Sequence, residues 1–548
     1  MIAPPKAAVA PLLAATGGLA LLVAHPPVGW WPTTFVAPAL LLAAIDLDAR
    51  AARAEGRGPR GGRLGVLFGI AAFGPMLTWL VLPAGYLGWG LLTLTQAAWM
   101  GLLGLLIARI LDRWWLAPAT AIAWTGIDAW RAIVPMNGFE WGAIQYAHVD
   151  GSWLLPVARL VGGRGIALLV VLISALAFEV VRRAATALAE GDRWSVERSL
   201  GTTRPALGAL VAALLVSVMA TIGPPAEHGS LDVLAVQGND IRHWEEPDPD
   251  PPLRITTAMR DLTLDAVERD GDPDLVVWPE SSIDRGIYTE RGERLRPLVE
   301  EAVAAVPRLL AGANLDGPDP ASEFYNTAAL FEGGLPHEDA YVKRRLVPFG
   351  EYIPFRPYLE WFPPLDQIPR DAQPGPEGQS LEVDDVRIAV IICFETLFDT
   401  VTRSNVLGQA DHPADLLVVL TNNASFGDSA QPQQHLAQTR LRAAETGRWA
   451  VHGALSGSSA FIDPDGGIHQ QTGLYTRDTI RGQIPLVEGR TPYLVIGDVL
   501  GVATRTAAAL SLVVLAGLRL RDRRRRAGRE EPTAGEQPTA PGTRESVG

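Results

Sequence analysis

Apolar segments long enough to cross a lipid bilayer constrain the fold of this chain more than any other feature of its sequence. A membrane-spanning helix needs about 20 mostly apolar residues. We identify eight such segments, at roughly residues 7–24, 30–47, 64–83, 87–110, 115–135, 165–182, 204–223 and 494–518. Seven of them precede residue 224, and the last follows a long polar stretch. The pattern predicts a polytopic α-helical membrane domain of about eight spans.

The arginine residues predict how these spans are oriented. Arginine clusters lie between the second and third predicted spans, after the fourth, between the sixth and seventh, and after the eighth. With eight spans, all of these clusters fall on the same side of the membrane. Because basic residues concentrate in cytoplasmic loops, we expect both termini to be cytoplasmic. The long polar stretch is then expected on the extracytoplasmic side.

Four regions follow from this pattern. We predict a transmembrane domain at 1–223 and an extracytoplasmic folded domain at 224–493. The eighth span is predicted at 494–518, and a basic and then disordered cytoplasmic tail at 519–548. The end of this tail is rich in Pro, Gly, Glu and Thr and has almost no apolar residues, which is the composition of chains that do not bury a core.

Composition excludes several kinds of site. The chain has 548 residues, a net charge of −13 and one cysteine. A single cysteine excludes an intramolecular disulfide and a thiolate metal cage. The sequence has no His, Asp and Glu spacing typical of metal ligands, so we expect no metal and no cofactor. It also has no basic face with interleaved aromatic residues, so nucleic acid is not an expected partner.

The predicted extracytoplasmic domain alternates short apolar runs with amphipathic helices. Such runs are typical of buried strands. The predicted strands are Leu231–Val236, Leu275–Trp278, Arg308–Ala313, Thr327–Phe331, Ile388–Ile392, Leu416–Leu420, Ala450–Leu455 and Ser459–Ile462. The predicted helices are at about 252–269, 291–304, 398–409 and 431–446. This alternation favours an α/β domain with two sheets covered by helices.

Three reactive side chains lie where predicted strands end. Glu280 follows the run at 275–278, Lys343 follows Ala340-Tyr341-Val342, and Cys393 follows the run at 388–392. An acid, a lysine and a thiol are the parts needed for a base, an electrostatic stabiliser and a nucleophile. From local sequence alone, Cys393 is also compatible with being a small buried hydrophobe, as most free cysteines are.

The motifs around these residues resemble those of the nitrilase superfamily. That superfamily uses a Glu-Lys-Cys triad on an α-β-β-α sandwich, and here the matching segments are Trp278-Pro279-Glu280, Lys343–Glu351 and Cys393-Phe394-Glu395. The motifs Val236–Asn239 and Tyr325-Asn326-Thr327 further resemble its membrane-embedded branch, the apolipoprotein N-acyltransferases. These enzymes of the bacterial cytoplasmic (inner) membrane complete lipoprotein maturation. The predicted spans agree with the same branch.

The resemblance implies a reaction and a set of site residues. Glu280, Lys343 and Cys393 are the implied catalytic residues, and the backbone N–H of Phe394 is an implied stabiliser of the oxyanion. The implied supporting residues are Glu351, Glu395 and Asn326. An acyl chain is expected to move from a membrane phospholipid to Cys393 as a thioester. It is then expected to move to the α-amino group of a diacylglyceryl-modified cysteine at the N-terminus of an apolipoprotein.

Two other functions remain open at this stage. A membrane-tethered nitrilase-like amidase would use the same triad to hydrolyse a C–N bond, although one anchoring helix would suffice for it. A transporter with an appended receptor domain is disfavoured, because the predicted spans contain few charges beyond Asp128 and Glu179.

The chain departs from the family pattern at two places near the implied site. The segment Asn422-Asn423-Ala424-Ser425-Phe426-Gly427 lacks an acid and a tryptophan that the family usually has, and Ser456 stands where the family often has asparagine. Neither change affects the triad, and both bear on which acyl donor and acceptor the pocket prefers.

Overall fold

The structure, a computed structural model, describes residues 6–189, 223–240, 249–337, 339–359, 368–409 and 411–527. The predicted seventh span lies outside these residues except for Gly223, as does the predicted tail beyond Ala527.

Helices make up most of the described N-terminal part. They are α1 (Lys6–Ala24), α2 (Thr33–Ala54), α3 (Gly61–Met76), α4 (Val81–Ile110), α5 (Leu116–Arg131), α6 (Val157–Val161) and α7 (Gly163–Ala189). Small residues let α3 and α4 pack with their backbones in contact, since a Cβ on Gly65 would overlap the backbone of Met100. Close packing of this kind replaces the hydrophobic driving force that helices lack inside a lipid phase.

Three described helices are long and apolar enough to cross a membrane, namely Thr78–Ile110, Gly163–Ala189 and Val499–Leu518. Ala8–Ala24 and Gly61–Met76 are shorter apolar helices. In the predicted span at 115–135, helix α5 has 16 residues. It buries an ion pair between Asp128 and Arg131 at 2.6 Å. A buried pair of this kind is typical of a helix that faces protein.

Two predicted span boundaries are wrong. The break between the third and fourth predicted spans falls after Met76, and the 3-10 turn Thr78–Leu80 leads directly into α4. The last apolar helix begins at Val499 and not at residue 494, because helix α13 (Pro492–Ile496) ends at Gly497, whose φ is 70°. Helix α14 then runs over Val499–Ala527. Glycine at this position permits the left-handed backbone that separates the two helices.

Within the described C-terminal part, two β-sheets form the centre of an α/β domain. The strands are β1 (Glu227–Gln237), β2 (Leu275–Ile283), β3 (Arg308–Asp316), β4 (Glu323–Glu332), β5 (Asp339–Val342), β6 (Asp371–Ala372), β7 (Leu381–Val383), β8 (Val386–Ile392), β9 (Leu416–Thr421), β10 (Ala450–Ala454), β11 (Ala460–Ile462), β12 (Ile468–Gln471) and β13 (Asp478–Val487). The first sheet has the order β13-β1-β2-β3-β4-β5, with β6 paired to β4, and the second has the order β12-β11-β10-β9-β8-β7. The helices are α8 (Pro251–Asp270), α9 (Arg296–Ala304), α10 (Arg356–Leu359), α11 (Asp399–Leu407) and α12 (Gln431–Thr446).

The layers confirm the predicted α-β-β-α sandwich. Val277 and Leu310 of the first sheet share a core with Val390 and Val418 of the second, so the sheets pack face to face. On the outer side of the first sheet, residues of α8 and α9 bury its other apolar face. On the outer side of the second sheet, α11 and α12 do the same, and their core is continuous with that of the membrane helices.

Helix α12 lies between the second sheet and the membrane helices and is buried on both sides. All of its residues are buried except Gln433 and Arg440, although many are polar. Gln434 accepts hydrogen bonds from the indole N–H groups of Trp79 and Trp141 at 3.3 and 2.7 Å. The buried polar side chains of α12 need hydrogen-bond partners from the protein, and bonds such as these fix the orientation of the helix.

A buried ionic cluster also connects the two parts of the chain. Arg164 at the start of α7 contacts Glu140 and Asp399 at 2.9 Å and Asp498 at 3.1 Å. Asp399 begins helix α11, six residues after Cys393, and accepts a hydrogen bond from Tyr493 at 2.9 Å. The chain immediately after Cys393 is therefore tied to two membrane helices.

Close backbone packing places Glu280. Its strand, β2, carries a bulge between Trp278 and Ile283, and Gly312 of β3 lies opposite. A Cβ on Gly312 would overlap the carbonyl oxygen of Pro279 and the Cα of Glu280. Glycine is required here for close approach and not for an unusual backbone angle.

We predict that Gly312→Ala destabilises the protein by about 1–3 kcal/mol, because the added methyl group forces apart two packed backbones. Chemical denaturation of the detergent-solubilised protein measures this change. Gly58→Ala is the matched control, since nothing lies within 4 Å of a Cβ at that position. An unchanged unfolding midpoint for Gly312→Ala would show that the two strands are not in contact as described.

Candidate active site

The structure brings Glu280, Lys343 and Cys393 together where the two sheets face each other. Glu280 lies in the bulge of β2, Lys343 directly follows β5, and Cys393 directly follows β8. The Nζ of Lys343 lies 2.9 Å from Oε1 of Glu280. The Glu280 carboxylate is close enough to the Cys393 thiol for its charge to raise the pKa of the thiol. Three residues from distant parts of the sequence thus form one contact group.

Lys343 is almost completely buried and is held between two carboxylates. Its side chain is 1% exposed, and its Nζ also lies 2.9 Å from Oε1 of Glu351. Burial by itself lowers the pKa of an ammonium group, but the charges of Glu280 and Glu351 outweigh burial and raise the pKa of Lys343 well above its usual value. Lys343 is therefore a fixed positive charge inside the site.

Glu280 receives a complete set of hydrogen bonds. Its Oε1 accepts from Asn326 Nδ2 at 2.8 Å as well as from Lys343, and its Oε2 accepts from the backbone N–H of Asn422 at 3.0 Å. Burial would raise the pKa of this carboxyl, but the charge and hydrogen bond of Lys343, together with Asn326, lower it below its usual value. Glu280 is ionised at neutral pH and its orientation is fixed from both sheets.

Cys393 has an unusual backbone and a protonated thiol. Its φ is 50°, a left-handed conformation that is uncommon for a non-glycine residue. The thiol is half-buried. Burial and the Glu280 carboxylate raise the pKa of the thiol to about 12, although Lys343 and a hydrogen bond from Thr421 act in the opposite direction. The resting nucleophile is therefore the neutral thiol.

Glu351 and Glu395 hold the segments that carry the site. Glu351 accepts from Asn326 Nδ2 at 2.6 Å and from the backbone N–H of Val347 at 2.7 Å, besides contacting Lys343.

Glu395 is fully buried and accepts from the backbone N–H groups of Arg344, Arg345 and Ile392 at 2.7, 3.0 and 3.0 Å. Tyr341 also donates to Glu395, at 2.8 Å. The segment after Lys343 is thereby fastened to the turn that carries Cys393.

Aromatic rings from the membrane side reach this turn. The ring of Phe394 stacks on Phe139 with centroids 6.3 Å apart, and Phe139 stacks on Trp141 at 5.8 Å. Trp79 contacts Trp141 and Phe426 at 5.0 and 5.1 Å. The site is therefore flanked by apolar rings that belong to, or touch, the membrane helices.

Three contacts of the site are not predicted from the sequence. The backbone N–H of Asn422, the hydroxyl of Thr421 and the imidazole of His435 all contact the triad or its turn. Thr421 ends β9 and Asn422 follows it, so both occupy the same kind of strand-end position as the triad residues. His435 lies on α12, and nothing in its local sequence distinguishes it from an ordinary core histidine.

Each of the two parts of the chain matches a known family model. A family model described as the apolipoprotein N-acyltransferase N-terminal domain matches residues 17–176, and one described as carbon-nitrogen hydrolase matches residues 253–491. Among solved structures, an amidase of the nitrilase superfamily from Nesterenkonia has a TM-score of 0.35 at 16% identity and covers 50% of this chain and 96% of that chain. The nitrilase-superfamily protein Nit3 of Saccharomyces cerevisiae has a TM-score of 0.34 at 15% identity, covering 47% and 91%.

Three relatives that are similar over most of the chain carry the same name. An apolipoprotein N-acyltransferase of Azotobacter vinelandii is 31% identical over 509 residues, which are 88% of this chain and 90% of the relative. Those of Geobacter metallireducens and Mycolicibacterium smegmatis are 28% and 30% identical, covering 91% and 88% of this chain and 94% and 81% of the relatives. With both of its parts and most of its length accounted for in this way, the chain belongs to the apolipoprotein N-acyltransferase family.

Proposed function

We propose that this protein transfers an acyl chain from a membrane phospholipid to Cys393 and then to the α-amino group of a diacylglyceryl-modified cysteine at the N-terminus of an apolipoprotein. The observation that carries the proposal is the buried contact group of Glu280, Lys343 and the one cysteine of the chain, in a domain whose outer helices pack on membrane helices. Family membership supports the same reaction over hydrolysis of a C–N bond.

In the first step, Cys393 attacks the carbonyl carbon of a phospholipid ester. With a pKa of about 12, the thiol ionises too rarely at neutral pH to act without a base. The ionised Glu280, next to the thiol, takes the proton as the carbon–sulfur bond forms. It then gives the proton to the alcohol oxygen as the carbon–oxygen bond breaks. The products are a thioester on Cys393 and a lysophospholipid.

In the second step, the amine of the lipoprotein attacks the thioester. Glu280 takes a proton from the amine as the carbon–nitrogen bond forms, and it gives that proton to the sulfur as the carbon–sulfur bond breaks. Both steps pass through a tetrahedral oxyanion. Lys343, a fixed cation, and the backbone N–H of Phe394 stabilise that charge, and removing one such donor typically raises the barrier by about 2.7–4 kcal/mol.

The aromatic flank of the site supports a lipid donor. Phe394, Phe139, Trp141 and Trp79 form a chain of ring contacts from the nucleophile turn to the start of a long apolar helix. A phospholipid cannot leave the bilayer cheaply, since removing each CH₂ from the apolar phase costs roughly 0.8 kcal/mol. A site that accepts acyl chains therefore needs an apolar approach from the membrane.

The proposed membrane arrangement follows from the arginine clusters. We propose that residues 1–223 hold seven spans, that 224–493 form the extracytoplasmic catalytic domain, and that the final span, beginning at Val499, returns the chain to a cytoplasmic tail at 519–548. The protein then resides in the bacterial inner membrane with both termini in the cytoplasm.

The two-step reaction predicts a stable intermediate. Purified enzyme with phospholipid alone should give one equivalent of lysophospholipid and a long-lived acyl adduct on Cys393, detected by mass spectrometry of the intact protein. A diacylglyceryl peptide with a free N-terminus should discharge the adduct and gain one acyl mass, and an N-blocked peptide should not. Steady release of fatty acid without any amine would instead favour the amidase-like hydrolase.

Substitutions in the contact group should abolish the first step. Cys393→Ser should form no adduct, because a hydroxyl is much harder to deprotonate than a thiol. Glu280→Gln and Lys343→Met should each slow adduct formation by at least about 100-fold, and the double variant should lose less than the product of the two factors, since the groups act as a unit. Glu300→Gln, at an exposed position on helix α9, is the control. Wild-type adduct formation in Lys343→Met would exclude Lys343 from the transition state.

The orientation can be tested with tags. A tag at residue 55, between the second and third predicted spans, should be protected from an impermeant reagent in spheroplasts. A tag at residue 320, in the turn between β3 and β4, should be labelled. Protection of the tag at residue 320 would contradict the proposed orientation.

A further inference from the structure

The backbone of Cys393 needs a partner to hold it in place. A non-glycine residue in the left-handed region typically costs on the order of 1–3 kcal/mol unless its surroundings fix it there. At a φ of 50°, Cys393 begins the 3-10 turn Cys393–Leu397 directly after β8. The direction of its thiol depends on this angle, so whatever holds the peptide also aims the nucleophile.

The carbonyl oxygen of Cys393 is contacted by two polar side chains. The Nε2 of His435 lies 2.9 Å from it, and the Oγ1 of Thr396 lies 3.0 Å from it. His435 is 1% exposed, and its Nε2 is also 3.0 Å from Thr396 Oγ1. The carbonyl is therefore enclosed by groups that come from α12 and from the turn itself.

The neighbours of His435 determine which ring nitrogen carries the proton. Its Nδ1 lies 3.2 Å from Asn423 Nδ2, which can only donate, and 3.2 Å from the hydroxyl of Thr421. Nδ1 is therefore the acceptor, and Nε2 donates to the Cys393 carbonyl, which can only accept. Burial lowers the pKa of His435 to about 4, so the ring is neutral and does not exchange protons with the substrate at neutral pH.

We propose that His435 is a positioning residue for the nucleophile: its Nε2–H holds the Cys393 carbonyl, and so keeps the residue in the left-handed conformation that aims the thiol at Glu280. The proposal rests on the proposed role of Cys393. Helix α12 gives the hydrogen bond a rigid base, because the adjacent Gln434 is fixed by Trp79 and Trp141 on the opposite, membrane side. The position of the thiol is thereby set relative to the membrane helices.

His435→Leu removes the donor, and His435→Gln retains an N–H at a similar distance from the helix. We expect His435→Leu to slow formation of the Cys393 acyl adduct by about 100-fold, the effect of roughly a 1 Å misplacement, with little change in the phospholipid concentration for half-maximal rate. His435→Gln should recover most of the rate. A role in folding alone would not produce this recovery or this separation of rate from binding.

His452→Leu is the matched control. His452 is equally buried, lies on β10 with its ring 5.5 Å from His435, and bonds to Thr439 at 2.9 Å rather than to the nucleophile turn. We expect it to lower the melting temperature about as much as His435→Leu while leaving the adduct rate within about threefold of wild type. An equal loss of rate in the two leucine variants, or a wild-type rate in His435→Leu, would overturn the proposal.

Two further measurements complete the test. Thr396→Val removes the second contact to the same carbonyl and should slow adduct formation by a smaller factor, so the proposal can be checked even if His435→Leu does not fold. Alkylation of Cys393 by iodoacetamide should slow in parallel with acylation. If alkylation slows in the variants but wild-type enzyme never forms an acyl adduct, the proposed function fails and the role of His435 stands. Unchanged alkylation in His435→Leu would refute that role.

Discussion

The burial of Lys343 is the constraint on which the site depends. An ammonium group removed from water is unfavourable by several kcal/mol unless charges and hydrogen bonds replace its hydration. Glu280 and Glu351 supply those charges, and Asn326 bridges the same two carboxylates. The backbone N–H of Asn422 donates to Glu280, and that of Val347 donates to Glu351. The need to compensate one cation thus arranges residues from both sheets before any substrate binds.

Helix α12 is subject to the same constraint, because its buried polar groups also need partners within the protein. A helix with water on one side can leave polar residues exposed, but α12 is covered by the second sheet on one side and by the membrane helices on the other. Its polar residues must therefore bond to specific partners. Glu445 accepts from the backbone N–H of Gly163 at 2.7 Å and pairs with Arg442 at 2.6 Å. Together with the cluster around Arg164, these bonds make the catalytic layer and the membrane layer one packed structure.

Much of the architecture could be predicted from sequence, and the exceptions have physical causes. The runs around Val277, Val390 and Val418 are continuously apolar because both of their faces are buried, so the strands and the residues that follow them were identifiable. Strand β13 was missed because its burial is irregular and it contains Gly482 and Pro485. The break at Gly497 was missed because apolar residues continue on both sides of it.

Some residues of the candidate site could likewise be predicted from the sequence, and others could not. Glu280, Lys343 and Cys393 were predicted together from strand ends and a family resemblance, and the structure places them in contact, while their catalytic roles remain proposals. The N–H of Asn422 is a backbone group, so its residue type carries no indication of it. His435 faces Cys393 only because α12 packs at one particular rotation against the second sheet, and that rotation depends on tertiary contacts such as those of Gln434.

The high pKa of the Cys393 thiol has a consequence for its chemical stability on the proposed extracytoplasmic side of the membrane. Disulfide exchange and oxidation to sulfenic acid both proceed through the thiolate. A reactive cysteine with a low pKa would be oxidised or captured as a mixed disulfide in an oxidising compartment, and this chain has no second cysteine to release it. A thiol kept neutral by burial and by Glu280 holds little thiolate and reacts slowly by those routes. The resting site is therefore protected against oxidation without a reducing partner.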